Sequence, residues 1–263
     1  TISGRVTGVQ TCALPILRFL MKVAARIKSK INRIQPGKIF KYSDLGVSRN
    51  EYGAAVKTLS RLVKEKFVKR LSTGVFYKSK TTAFGELGPS ESEQLRPYLF
   101  NGRKRIAYVT GAALFNQLSL TTQVPKDIDL ASRAKRPVSK VGNITVRFVK
   151  SYADVNNKNY NLLGILDSIK DFKKIPDLNK ELAIKRIKAM IDELTDREKK
   201  NLVMYALDYP PRARAFLGAL LELIKIEQRE ALIALKQSLN PLSSYSVGVA
   251  QDILPNSKSW FIQ

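Results

Sequence analysis

The order of predicted elements between residues 17 and 80 constrains the fold more than any other feature of the sequence. Apolar residues recur every three or four positions across 17–34, with basic residues between them, which predicts an amphipathic helix. The Pro36-Gly37 pair ends this helix, and 38–46 reads as a short strand followed by a single helical turn. A second helix and a β-hairpin come next. This succession is typical of a winged helix-turn-helix.

The second helix begins at a capping box. Ser48 and Glu51 have the S-x-x-E spacing, in which the hydroxyl and the carboxylate each accept from the other residue's backbone amide. Helical spacing over 49–66 predicts an apolar side of Tyr52, Ala55, Val56, Leu59, Leu62 and Val63, and an opposite, exposed side of Asn50, Ala54, Lys57, Arg61 and Lys64. Residues 67–71 and 75–78 then predict the two strands of the hairpin.

Positive charge is concentrated in the same segment. Residues 17–80 contain 17 basic and 3 acidic side chains, a net +14, whereas residues 81–263 contain 28 basic and 19 acidic ones. Such a density is typical of modules that bind polyanions, because each cation placed against a phosphate releases condensed counterions. Taken together with the element order, the charge favours DNA binding over a merely solvated basic face or a protein-binding winged helix.

The predicted geometry assigns the DNA-binding residues. In a winged helix-turn-helix the capped helix enters the major groove and the hairpin lies over the backbone or the minor groove. Arg49, Asn50 and Lys57 are therefore candidates for contacts to bases, arginine toward guanine and asparagine toward adenine. Phosphate contacts are expected from other cations. The full candidate site is Ser48, Arg49, Asn50, Lys57, Arg61, Lys64, Lys69, Arg70 and Thr73.

The composition argues against familiar catalysis. Histidine is absent from all 263 residues, which excludes Ser-His and Cys-His catalytic couples and imidazole metal sites. No phosphate-binding or dinucleotide-binding glycine motif is present. Asp127 and Asp129 alternate on a predicted strand and could hold Mg²⁺, but two acids beside Lys126 and Arg133 are more often a solvated strand edge. We therefore predict no enzyme activity, no cofactor and no metal.

The remainder of the chain predicts an α+β region followed by helices. Residues 85–89 read as a linker, and capping boxes at 90–93 and 195–198 predict helix starts. Thr110 is the expected cap of a short helix. Strands are predicted at 121–124, 127–131 and 144–149, and helices at 162–172, 178–194 and 212–239. The predicted domains are a winged helix-turn-helix at 17–84, an α+β domain at 85–175 and a helical extension at 176–263.

The first sixteen residues are expected to be an artefact. Residues 6–16 resemble the translation of a DNA-sequencing adapter, and they contain Cys12, the one cysteine of the chain. The credible protein is then expected to begin near Leu17 and to contain no cysteine. It needs no oxidising compartment, and no segment approaches 18 uninterrupted apolar residues. We therefore expect a cytoplasmic protein without a membrane segment.

Several short motifs resemble one family. Ordered motifs between about residues 30 and 175 resemble the AbiEi-like antitoxins of type IV toxin–antitoxin systems, which serve in abortive infection, a form of phage defence. The motifs are 34–40 (Ile-Gln-Pro-Gly-Lys-Ile-Phe), 55–62 (Ala-Val-Lys-Thr-Leu-Ser-Arg-Leu), 74–78 (Gly-Val-Phe-Tyr-Lys), 108–111 (Tyr-Val-Thr-Gly) and 118–123 (Leu-Ser-Leu-Thr-Thr-Gln).

The resemblance implies a function. It implies a winged helix that represses its own promoter by binding inverted repeats in double-stranded DNA, and an antitoxin domain that opposes a nucleotidyltransferase-like toxin without forming a stable complex. Two alternatives remain from the residues themselves. One is a metal-dependent nucleic-acid-modifying enzyme that uses Asp127 and Asp129, and the other is an RNA-binding module.

Overall fold

The computed structural model describes residues 13–83, 85–134, 136–142, 144–225 and 229–263, with side chains from residue 23 onward. Cys12 lies outside the described residues. The chain divides into two compact units, residues 1–96 and 97–263. Both units combine helices with small sheets, so the predicted α+β class is confirmed. Within the described residues, no helix combines the length and the apolar character needed to cross a membrane.

The described part of the first unit contains a three-stranded antiparallel sheet of order β1-β3-β2, which shares a core with α1 and α2. Single 3-10 turns at Ser43–Leu45 and Arg49–Glu51 lie between β1 and α2. The elements are α1 (Ala13–Asn32), β1 (Ile39–Lys41), α2 (Tyr52–Lys64), β2 (Lys69–Ser72), β3 (Val75–Tyr77), β4 (Lys80–Thr82), β5 (Gly85–Leu87) and α3 (Glu91–Leu99), the last of which crosses the unit boundary.

The core of the first unit follows the predicted apolar periodicity. Its buried members come from α1, α2 and the sheet: Val23, Ile27, Ile31, Phe40, Leu45, Ala54, Ala55, Leu59, Leu62, Val68 and Phe76. Two assignments on α2 were wrong. Ala54 is buried although we placed it on the exposed side, and Tyr52 is 53% exposed although we placed it on the apolar side. Tyr52 occupies the first position of α2, where its ring leans on Tyr42 at a centroid distance of 5.1 Å instead of entering the core.

The segment predicted as a linker is a strand. Residues Gly85–Leu87 form β5, which pairs with β4 in a second hairpin. Contacts then tie this region to the rest of the unit: Glu86 accepts from Lys69, and Glu93 on α3 accepts from Lys38. The first unit consequently extends to residue 96, beyond the predicted boundary at 84.

The second unit places a four-stranded sheet of order β10-β11-β9-β8 against helices. Strands β11 and β9 are parallel, and the other pairs in this sheet are antiparallel. The elements are β6 (Phe100–Asn101), β7 (Lys104–Arg105), β8 (Tyr108–Thr110), α4 (Gly111–Gln117), β9 (Asp127–Ser132), β10 (Ser139–Val141), β11 (Ile144–Lys150), α5 (Tyr160–Asp171), α6 (Lys180–Asp192), α7 (Asp196–Ala206), α8 (Pro211–Ile224) and α9 (Arg229–Gln237).

One hydrophobic core runs through this unit. Residues of β8, α4 and α5 contribute to it, among them Leu163 on α5. The same core includes Ile187 on α6, Leu217 on α8 and Trp260 near residue 263. The division predicted after residue 175 therefore falls inside one core. The reason is that α8 is buried on nearly every side and needs α5, α6 and α9 to cover it.

Two further predictions in this unit were wrong. Residues 121–124 form no strand: the amide of Gln123 donates to the Thr121 hydroxyl at 3.2 Å and pairs with no neighbouring strand. The helix predicted over 212–239 is divided into α8 and α9. Lys225 ends α8 with a φ of +57°, a left-handed conformation in which a helix cannot continue.

Candidate nucleic-acid interface

The start of α2 is held by a network centred on Glu51. The predicted capping box forms, and Glu51 Oε2 accepts from the Ser48 amide at 3.1 Å and from the Ser48 hydroxyl at 2.9 Å. Arg26 on α1 donates to the same oxygen at 2.6 Å. The carboxylate therefore fixes both the beginning of α2 and its position against α1.

Glu51 should make the first unit sensitive to acid. The Arg26 guanidinium and the two Ser48 donors lower the pKa of Glu51 to about 2. A carboxyl group with a lowered folded-state pKa stabilises the fold above its unfolded pKa and loses that contribution as the pH falls through the folded value. We expect Glu51→Gln to be less stable than the wild type at neutral pH, with the difference shrinking between pH 4.5 and about 2.

Hydrogen exchange of the α2 amides, followed in both proteins across this range, measures the effect. A difference in protection that is unchanged at the acid end would contradict the assigned role of the Glu51 charge.

The outward face of the Arg49–Glu51 turn and of α2 carries the predicted cations. Arg49, Asn50, Lys57, Arg61 and Lys64 are all exposed, whereas Ala54 and Thr58 between them are buried. The Thr58 hydroxyl donates to the Ala54 carbonyl at 2.8 Å, so this polar group faces its own helix and not the solvent. The result is a cationic and amide-bearing stripe along one side of the helix.

The cations of this stripe differ in their partners. None of the described residues forms an ion pair with Arg49, Lys57 or Lys64. Arg61 lies 3.6 Å from Glu65, and Lys69 on β2 is bound by Glu86 on β5. The positive charge of Arg49, Lys57 and Lys64 is thus not neutralised by a neighbouring carboxylate, whereas that of Arg61 and Lys69 is.

The β2–β3 hairpin carries three of the predicted site residues, Lys69, Arg70 and Thr73. Arg70 is exposed and its Nε donates weakly to the Ser72 carbonyl at 3.3 Å. Thr73 is exposed at the turn, where Gly74 adopts a φ of +74°. Ser48 is also exposed, but its hydroxyl donates to Glu51, so its role is to cap the helix.

Tyr52 is exposed beside the predicted site residues, although the sequence pattern placed it on the apolar side and not in the candidate site. Its exposed ring lies on the first turn of α2, three positions after Arg49, and contacts Tyr42. Tyr42 in turn meets Phe76 of β3 edge to face at a centroid distance of 5.5 Å. This aromatic chain connects α2 to the sheet. A tyrosine at the first position of a capped helix was the available signal, since the start of a helix is seldom covered on all sides.

The second unit contains a buried carboxylate. Asp167 on α5 is almost fully buried, and its two oxygens accept from four side chains on three different segments. The donors are Tyr108 at 2.8 Å, Thr110 at 2.6 Å, Lys170 at 3.0 Å and Tyr209 at 3.3 Å. Thr110 occupies the predicted cap position of α4, but its hydroxyl donates to Asp167 and does not cap the helix.

The charges around Asp167 are balanced. Burial raises the pKa of Tyr108 and of Tyr209, so both stay protonated and act as donors. Burial lowers the pKa of Lys170, but the carboxylates of Asp167 and Asp171 outweigh it and the net shift is upward. The cluster thus pairs a carboxylate with an ammonium group and uses its hydroxyls as donors, which is the arrangement of a structural anchor. An isolated acid in the apolar run 162–169 was the sequence signal for it.

Asp127 and Asp129, which we considered as a metal site, form ion pairs with an arginine. Arg147 on β11 donates to Asp129 at 2.8 Å and lies 3.3 Å from Asp127. Strand β9 lies between β11 and β8, so the predicted solvated edge was wrong. Gly111 lies close by with a φ of +65°, and a Cβ there would lie 2.8 Å from an Asp129 oxygen. No group of three or more potential metal ligands occurs among the described residues.

A family model covers most of the chain. The model described as a family of unknown function (DUF6088) matches residues 26–204. The chain belongs to this family. The DUF6088 match begins within α1 and ends within α7, so it includes the cationic face of α2 as well as the cluster around Asp167. It leaves α8 and α9 outside, although both complete the core that α5 and α6 share.

The fold has a solved relative. The chain is similar to the crystal structure of the RV2827C protein from Mycobacterium tuberculosis, with a TM-score of 0.50, 11% sequence identity and coverage of 87% of each chain. At this identity the likeness concerns the fold alone. No curated protein matches this DUF6088 chain in sequence.

Proposed function

We propose that this chain is a DNA-binding transcriptional autorepressor with antitoxin activity, encoded in a type IV toxin–antitoxin operon. One observation carries the DNA-binding part: the Arg49–Glu51 turn and α2 together expose a stripe with three cations that have no ion-pair partner among the described residues, Arg49, Lys57 and Lys64. Cations placed against phosphates release condensed counterions, and this release favours binding.

The order of elements supports a winged-helix mode of binding. In this mode α2 enters the major groove, and the β2–β3 hairpin acts as the wing beside it. The Arg49–Glu51 turn at the start of α2, which carries Arg49 and Asn50, then faces the base edges, and Lys57 follows about two turns later. Arg61, Lys64 and Arg70 contact phosphates. Lys69 exchanges its ion pair with Glu86 for a phosphate.

Arg49 and Lys57 together provide the test of this interface. We expect Arg49→Ala combined with Lys57→Ala to weaken binding to the promoter of the operon about 10- to 100-fold, because contacts to base edges are lost. Discrimination against a scrambled duplex should fall at the same time. Fluorescence anisotropy over a series of salt concentrations measures both quantities. The logarithm of the wild-type affinity should fall steeply with the logarithm of salt concentration.

A charge-matched variant separates this contact from bulk electrostatics. Arg197→Ala combined with Lys200→Ala removes two cations from the exposed side of α7. This control should retain promoter binding close to that of the wild type. If the α2 variant binds promoter and scrambled DNA as well as the control does, α2 is not the recognition helix. Stronger binding of tRNA than of duplex DNA would instead favour an RNA-binding module.

The antitoxin part rests on the resemblance of the 108–111 and 118–123 motifs to the AbiEi-like family. In this proposal the second unit counters a nucleotidyltransferase-like toxin without a stable complex. Co-expression with the neighbouring toxin gene should restore growth, and the α2 double variant supplied from an unrelated promoter should still do so. Failure of the wild-type chain to restore growth would contradict the antitoxin activity while leaving DNA binding to be judged by the duplex assay.

A further inference from the structure

The second unit contains a cavity of about 430 Å³. Its walls come from β7, β8, α4, the first half of α5 and the end of α6. Apolar side chains form most of the lining: Val109, Leu114, Leu118, Ile165, Met190 and Leu194. This volume lies in the range of sites that bind small organic molecules, which are also mainly apolar with a few polar groups.

Arg105 is the one basic residue of this lining. Its guanidinium carbon lies 3.8 Å from the ring centroid of Tyr160 and 4.5 Å from that of Phe100. The guanidinium carbon thus lies over both rings. A guanidinium is planar, and its N–H donors match the two oxygens of a carboxylate or a similar flat anion.

Arg105 also lacks a complete set of partners. Its Nε is buried and has no hydrogen-bond partner among the described residues, and none of them forms an ion pair with it. Burial lowers the pKa of Arg105, as expected for a cation removed from water. A buried donor without an acceptor costs free energy, and a ligand that supplies the acceptor recovers it.

We propose that this cavity binds a small aromatic carboxylate, with the carboxylate at Arg105 and the ring among the apolar side chains. Glu193 also lines the cavity and is exposed. Its negative charge disfavours an anion at that side and directs the carboxylate toward Arg105. Tyr108 lines the cavity too, but its hydroxyl already donates to Asp167 and is not free for the ligand.

Titration with 2-naphthoate and its neutral analogue 2-naphthamide tests the proposal on the wild-type protein. We expect 2-naphthoate to bind with a dissociation constant below about 1 mM, and the amide to bind at least about tenfold more weakly because it lacks the charge. The chain contains three methionines, so methyl-labelled methionine gives a simple spectrum. The Met190 signal should move, while that of Met204, which is exposed on α7, should not.

Two variants locate the anion. Arg105→Met keeps a long side chain beside the two rings and should weaken 2-naphthoate binding at least about tenfold, with little effect on the amide. Arg103→Met removes an exposed cation two residues away and should leave both affinities unchanged. Equal affinity for acid and amide in the wild type, no saturable binding up to about 5 mM, or equal effects of the two variants would overturn the proposal. None of these results depends on DNA binding or on antitoxin activity.

Discussion

Replacement of Asp167 by alanine is expected to destabilise the second unit by about 3–5 kcal/mol, the range found when one member of a buried ion pair is removed. The variant would leave Lys170 with Asp171, 3.2 Å away, as its remaining carboxylate partner. It would also leave the hydroxyls of Tyr108 and Thr110 without an acceptor, and each buried donor without an acceptor adds to the cost. These groups lie on β8 and α5, so the loss affects the packing of sheet against helix.

Trp260 allows this loss to be assigned to the second unit. It is the one tryptophan of the chain, and it is buried in the core that contains α5 and α8. Urea unfolding followed by its fluorescence therefore reports that unit even if the first unit unfolds separately. Tyr209→Phe removes a single donor, placed at 3.3 Å, and should cost about 0.5–1.5 kcal/mol. Asp154→Asn, at an exposed pair with Arg133, should have a negligible effect.

The anchor role of Asp167 has a clear contrary result. If Asp167→Ala unfolds at the same urea concentration as Asp154→Asn, the hydrogen bonds around Asp167 do not support the fold. A variant that unfolds early while Tyr209→Phe remains close to the wild type is the expected pattern, because Lys170, Tyr108 and Thr110 then carry most of the interaction.

Gly218→Ala is the second substitution with a large expected effect. Gly218 lies in the buried part of α8 directly beneath Trp260, and a Cβ there would overlap three atoms of the indole ring, Cζ3, Cη2 and Cε3. The ring would have to leave its place and would lose the hydrogen bond that Nε1 donates to Glu222 at 2.8 Å. We expect a loss of about 3 kcal/mol, at the upper end of overpacking effects.

A second helical glycine in the same unit is the matched control. A Cβ at Gly164 on α5 would lie 3.5 Å from Leu114, which is ordinary van der Waals contact. Gly164→Ala should therefore be neutral or stabilise the unit by up to about 1 kcal/mol, since alanine favours a helix over glycine. The two variants make the same chemical change with opposite expected outcomes.

Trp260 emission gives a direct measurement of the clash. In Gly218→Ala the emission maximum should move to longer wavelength because the displaced indole meets water, whereas in Gly164→Ala it should stay in place. An unchanged maximum together with wild-type stability in Gly218→Ala would show that the ring accommodates the methyl group, contrary to the packing described above.

The elements of the first unit were largely predictable because their signals act over short distances. The Ser48–Glu51 capping box and Gly46 are local features, and each lies where expected. The exposure of Lys57 and Lys64 follows from helical periodicity alone. What periodicity could not give was the environment of Tyr52 and Ala54, which depends on how closely α1 and the sheet approach α2.

The second unit was less predictable because its key contacts join distant positions. Asp167 meets Tyr108 and Thr110 across more than fifty residues, and Arg147 reaches Asp129 only because β9 and β11 lie side by side. The motif at 121–124 alternates as a strand does, yet the Gln123 amide donates to the nearby Thr121 hydroxyl and no strand forms there.

Composition and local pattern were enough to indicate an α+β protein. They also showed that the excess positive charge lies mainly in one module of helices and a hairpin. Net charge, helix caps and turns are properties of neighbouring residues, and the sequence displays them directly. Pairing and packing decided the rest: which cations form ion pairs with Glu65 and Glu86, that β5 is a strand and not a linker, and that the Arg105 guanidinium lies over two aromatic rings beside a cavity. These features depend on which surfaces meet in space, and short-range preferences carry no information about residues fifty positions apart.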